Sequence, residues 1–160
     1  MGSSSPYRGL GTLLRHLIDL LDGDLEQVYH DLAIDYRPRF TPVVRALVES
    51  EPRSIRGIAD HSGLTHSAVS QTVAEMKRRR LVSLVQDKAD ARARLVRLAP
   101  RCRAMLPRLR RQWKATNSAA DGLDAELSSS LRALIVEAIA ALEKDPFRKR
   151  IERMQKRSRS

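Results

Sequence analysis

The chain has 160 residues, with 30 Lys and Arg against 19 Asp and Glu and a single cysteine. Such a length buries a sizeable core, because about 70% of the unfolded surface is lost on folding at this size. One cysteine, Cys102, excludes an internal disulfide and a multi-cysteine metal site; no run approaches the ~20 apolar residues of a membrane span and no secretory segment is visible, so a reducing, cytoplasmic setting is expected.

Position says more about the charge than size does. Residues 1–50 hold 5 basic and 7 acidic side chains, residues 51–115 hold 16 and 5, and residues 116–160 hold 9 and 7. The middle segment therefore carries net +11, the value of the whole chain. A concentrated basic field implies a polyanionic partner, nucleic acid first and an anionic membrane second, although a charge cluster alone is usually a solvated face. Leu, Ala and Val dominate the apolar content and aromatics are few, which favours helices.

Residues 1–6 are polar and expected to be disordered. From Leu10 the apolar residues Leu13, Leu14, Leu17, Ile18, Leu21, Leu25, Val28 and Leu32 recur at helical spacing. A long amphipathic helix is predicted over residues 7–34, with Gly23 as a weak point. Pro38 disfavours helix at Arg37. Thr41-Pro42 reads as a helix start, with Thr41 as N-cap and a run to Ser50. Ser54 caps the next short helix, and Gly63 makes the turn that ends it. Thr65 caps a further helix through Val69, Val73 and Met76 to Arg79. Two short helices joined by a glycine turn are a helix-turn-helix.

The period then changes. Leu81–Val85 and Arg94–Leu98 read as strands joined by the polar tip Asp87–Arg92, a β-hairpin wing. Pro100 starts a helix carrying Met105, Leu106, Leu109 and Trp113, with a kink expected at Pro107 and a break at residues 118–123. A last helix holds Leu127, Leu131, Leu134, Ile135, Ala138, Ile139 and Leu142. Pro146 interrupts it, and the basic tail keeps helical spacing through Phe147, Ile151 and Met154. The fold class is thus mainly α with a small β-hairpin wing: a winged helix-turn-helix over residues 37–99, flanked by helical regions at 7–36 and 100–157.

The helix beginning at Thr65 suits base reading. Its outer face offers Thr65, His66, Ser67, Ser70 and Gln71, while Val69, Val73 and Met76 point to the core. Gln71 can pair bidentately with adenine, Ser67 and Ser70 can bond bases or phosphates, and Thr65 sits at the positive end of the helix. Ser54, Lys77 and Arg78 are further phosphate-contact candidates. On the wing, Lys88, Arg92 and Arg94 are placed to meet DNA, with Arg92 entering the minor groove and Asp90 steadying its guanidinium.

The stretch Ser54-Ile55-Arg56-Gly57-Ile58-Ala59-Asp60-His61-Ser62-Gly63-Leu64-Thr65-His66-Ser67-Ala68-Val69-Ser70-Gln71-Thr72-Val73 resembles, without a gap, the helix-turn-helix of the MarR family of bacterial winged-helix regulators. Asp90-Ala91-Arg92, followed by Leu95-Val96-Arg97-Leu98, resembles that family's wing, and the element order fits across residues 10–145. The resemblance implies a homodimer joined through the first and last helices, with two reading helices ~34 Å apart on a pseudo-palindromic double-stranded operator. It also implies a transcription regulator, usually a repressor, that often releases DNA when a small phenolic or other anionic ligand binds in a crevice between the dimerisation helices and the winged module. His16, Tyr29, His30, Tyr36 and Arg37 are the candidates for that crevice. Ser62, Arg80, Ala99 and Cys102 depart from the family's usual residues, and the first helix has no cysteine.

Other readings stand beside this one. The module could bind proteins rather than DNA, or coat DNA without reading it. His61 and His66 lack company as metal ligands, so no cofactor beyond a small effector is expected. No nucleophile–base pair or glycine-rich phosphate loop points to an enzyme. The basic tail is either a dimer element or an extra DNA-binding arm.

Overall fold

The computed structural model describes residues 9–87, 90 and 93–158. Helix α1 (Leu10–Asp31) passes through Gly23, is shorter than the sequence pattern suggested, and ends in a left-handed turn. There Ala33 (φ 49°) donates to His30 O, and Ile34 donates to Tyr29 O. A 3-10 turn (Pro38–Phe40) leads into α2 (Thr41–Glu49). The expected N-cap at Thr41 is not formed, because the turn before it already supplies helical backbone and Phe40 takes the cap position. The Thr41 hydroxyl instead accepts from Tyr36 Oη at 3.2 Å.

Strand β1 (Arg53–Ser54) is followed by α3 (Ile55–Ser62), α4 (His66–Arg78), β2 (Val82–Gln86) and β3 (Arg94–Leu98). The hairpin of β2 and β3 is as the sequence suggested, with Leu84 opposite Val96. A third strand joins it: β1 pairs antiparallel with β3, Arg53 opposite Val96, giving the order β1-β3-β2. The backbone ladder of β1 with β3 stops at Arg53. The Glu51 side chain continues it, Oε2 accepting from Leu98 N–H at 2.8 Å while Oε1 pairs with Arg103.

The chain forms two compact units, residues 1–106 and 107–160, and the boundary falls at Pro107 inside α5 (Pro100–Glu126). The core of the first unit is built from Phe40, Val43, Val44 and Leu47, Ile58 of α3, Val69, Val73 and Met76 of α4, and Leu81, Val96 and Leu98 around the sheet. Tyr29 is the one residue of α1 that is buried; Leu10, Leu13, Leu14, Ile18, Leu20 and Leu21 are exposed.

The expected break at residues 118–123 is absent, since α5 runs unbroken to Glu126. Ala115, Ala119 and Ala120 favour helix strongly enough to carry the single Gly122, whose cost is ~1 kcal/mol. The break comes at residues 127–130 instead. Ser130 caps α6 (Leu131–Lys144) by accepting from Ala133 N–H, so Leu127 lies before the helix rather than in it. Pro146 separates α6 from α7 (Phe147–Arg157). No residue of α6 or α7 is buried; Leu134, Ile135, Val136, Ile139 and Leu142 of α6 lie open, as do Phe147, Ile151 and Met154 of α7.

Candidate nucleic-acid interface

The turn between α3 and α4 is set by local chemistry. Ser54 Oγ accepts from Gly57 N–H at 3.0 Å and fixes the start of α3. Gly63 ends that helix at φ 69°, where a side chain would be strained. Thr65 Oγ1 then accepts from Ala68 N–H at 3.2 Å, satisfying one of the open donors at the start of α4. Both caps and the left-handed glycine stand where the sequence placed them.

From this start α4 presents a two-sided surface. Val69, Val73 and Met76 are buried, while Thr65, His66, Ser67, Gln71, Lys77 and Arg78 are exposed and Ser70 is half-buried. The outer face is therefore small and hydrogen-bonding near the N-terminus and cationic near the C-terminus. That combination can place donors and acceptors against base edges and cations against phosphates. Arg94 is exposed on β3, and Asp90 is exposed, its carbonyl accepting from Ala93 N–H. Lys88 and Arg92 lie outside the described residues, and with them the proposed Asp90–Arg92 pairing.

The basic run at the end of α4 divides in two. Lys77 and Arg78 face outward, but Arg79 turns inward: Nη1 lies 2.6 Å from Asp35 Oδ1 and Nε 3.2 Å from Glu75 Oε1. Arg80 takes the left-handed position after the helix (φ 57°), donating to Lys77 O while Leu81 donates to Met76 O. This is a Schellman closure with arginine where glycine is the usual residue.

Sequence reasoning missed the group around Glu75, the buried charged residue among those described. Its carboxylate pairs with Arg39, with Arg37 Nη1 at 3.2 Å, and with Arg79. Asp35 in turn holds Arg101 at 2.7 Å, and Arg101 Nη1 donates to Arg79 O at 2.8 Å. The four-residue spacing of Glu75 and Arg79 was a readable signal. The partners at residues 35, 37, 39 and 101 were not, because they meet only in the fold.

The crevice candidates are brought together in part. An open groove of about 500 Å³ is lined by His30, Tyr36 and Arg37, with Ile34, Asp35 and Arg79 beside them. Tyr29 is buried beneath, with its ring 5.1 Å from that of Tyr36 in an edge contact. Burial pushes the Tyr36 hydroxyl well above its ordinary range, against the lowering effect of its bond to Thr41. His16 does not join the group: it lies fourteen residues up α1 from His30, ~21 Å along the axis at 1.5 Å per residue. Among the described residues no cluster of His, Cys, Asp and Glu could hold a metal, and no helix is long and apolar enough to cross a membrane.

Residues 41–93, from α2 through most of the wing, match the sequence model of the MarR family. No curated protein matches the chain. Among solved structures it is similar to the PcaV transcriptional regulator of Streptomyces coelicolor, determined with its natural ligand, at 22% identity and TM-score 0.62 over 91% of this chain and 99% of that one. It is similar also to BpsR of Bordetella bronchiseptica, whose DNA binding is regulated by 6-hydroxynicotinic acid, at 22% identity and TM-score 0.59 over 89% and 98%. A third is CouR, a transcriptional repressor solved on a 23-mer DNA duplex, at 17% identity and TM-score 0.62 over 89% and 98%. These likenesses establish the shared fold.

Proposed function

We propose that this chain, whose winged helix-turn-helix belongs to the MarR family, is a dimeric transcription regulator that reads duplex DNA with α4. The observation that carries the reading is the division of that helix: a capped N-terminus and a small, polar outer face, backed by a buried apolar one, inside the segment that holds the chain's entire net charge. Thr65, His66, Ser67, Ser70 and Gln71 meet base edges or phosphates in the major groove. Ser54, Lys77, Arg78 and Arg94 hold the backbone. Lys88 and Arg92 are assigned to the wing contact on sequence alone.

The exposed leucines of α1 and the wholly unburied α6 support dimerisation, since patches of that extent on a soluble chain mark interaction surfaces. Two copies would then address the half-sites of a pseudo-palindrome. The groove beside Tyr36 and Arg37 suits a small anionic effector, and release of DNA on its binding would make the protein a ligand-controlled repressor.

The test is selection of duplexes from a random library, followed by binding titrations. Gln71→Ala weakens the selected duplex about tenfold or more, in line with a bidentate base contact, and leaves random DNA unaffected. Arg78→Ala weakens all sequences alike and lowers the salt slope by about one. No salt-dependent binding at all would establish the protein-interaction reading; equal affinity for every sequence would make the protein a DNA coater.

A further inference from the structure

Glu75 lies one turn after Gln71 on the same flank of α4, at the border between the outer and the buried face. Its carboxylate is gripped from outside the helix by Arg37 and Arg39, which belong to the segment between α1 and α2. A carboxylate held from outside by two guanidiniums, each offering directional donors, resists rotation of the helix about its own axis. The other polar ties of α4 to the outside, Arg79 to Asp35 and Arg101 to the Arg79 carbonyl, act at its C-cap, one turn further from Gln71; the remaining packing is apolar, through Val69, Val73 and Met76. Side-chain tips ride ~5–6 Å from a helix axis, so a 10° turn moves the Gln71 amide by ~1 Å, more than the ~0.5 Å a productive contact tolerates.

We propose that Glu75 is a positioning residue for base readout: with Arg37 and Arg39 it sets the rotation of α4 and hence the alignment of Gln71 with base edges, without touching DNA itself. This rests on the reading of α4 as the DNA-reading helix. Affinity for DNA at large depends on exposed cations, Lys77 and Arg78 of α4 among them, whose long side chains keep their phosphate contacts through a shift of ~1 Å. Discrimination among sequences depends on the grip.

The full-length protein is titrated with two duplexes of equal length, one recovered from a random library by the wild type and one of scrambled sequence. Glu75→Gln and Arg39→Gln each lower the ratio of the two affinities about tenfold, leave scrambled-duplex affinity within about twofold, and in combination do no more than either alone. Melting curves accompany each variant. If Glu75→Gln fails to fold, Arg39→Gln, which removes a half-exposed partner, decides the matter by its ratio together with the same measurement on Arg37→Gln. A wild-type ratio in these folded variants overturns the proposal. So does an equal loss on both duplexes, which marks a purely structural role, or additivity in the double variant. If the wild type recovers no preferred sequence, the base-reading function itself fails, and the positioning role with it.

Discussion

Arg79, the residue that closes α4, lies 2.6 Å from Asp35, just past the end of α1, and so ties the ends of two helices that are far apart in sequence. Both side chains keep substantial contact with water, so the bond is weaker than its length suggests. Asp35→Asn costs less than about 1 kcal/mol of stability in urea unfolding, and the loss shrinks in 1 M salt, where exposed charges are screened over ~3 Å. A loss that salt leaves unchanged would show that the Asp35 group is buried in solution.

Ala33 and Arg80 occupy the left-handed turn positions that end α1 and α4. A residue with a Cβ pays roughly 1–2 kcal/mol there relative to glycine. Ala33→Gly and Arg80→Gly each therefore stabilise the chain by about 1 kcal/mol and raise Tm by about 2–4 °C. Scanning calorimetry checks this, and a fall in Tm would show that the backbone relaxes out of the left-handed region.

Cys102 is fully buried, and that burial pushes its thiol up to about 11, with the nearby Arg103 only partly offsetting it. At pH 8 about one molecule in a thousand carries the thiolate, so native protein alkylates far more slowly than unfolded protein. The rate rises about tenfold per pH unit towards 11 and jumps on adding denaturant. Fast labelling of the native protein at pH 7 would contradict this environment.

Two carboxylates of the second unit are held below the usual range. Asp124 accepts from Ser130 Oγ at 2.5 Å and from Leu131 N–H at 2.9 Å, and Asp145 accepts from Arg153 at 2.5 Å. A lowered carboxylate stabilises the fold above the ordinary Asp value of ~3.9 and ceases to do so as pH falls through the lower folded value. Asp124→Asn and Asp145→Asn are accordingly less stable than wild type at pH 7, and the difference closes as pH falls below about 4. Helicity followed by circular dichroism across that window reads the effect; a gap that stays open at pH 2 would assign the destabilisation to shape.

The winged module was legible because its signals are local. Ser54, Gly63 and Thr65 act on backbone within three residues, and the alternation in Arg94–Leu98 needs no distant partner. β1 was not legible, since two residues carry no period. Neither was the grip on Glu75, whose ligands Arg37 and Arg39 lie more than thirty positions away in the chain. The outer face of α4 could be read directly, as the face opposite Val69, Val73 and Met76. His16 stands apart from the other crevice candidates on this chain, because the fourteen residues between it and His30 make almost four turns of helix.

Glu51, opposite Leu98 where the backbone ladder of the edge strand has ended, supplies with its side chain an acceptor for the N–H of Leu98. The root of the wing is thereby closed by a residue that lies outside the hairpin in sequence. The wing is consequently not a self-contained cassette. A hairpin cut at residues 82 and 98 and moved onto another winged helix arrives with an open donor at its base, and the unit of exchange, in the laboratory or by recombination, has to include residue 51.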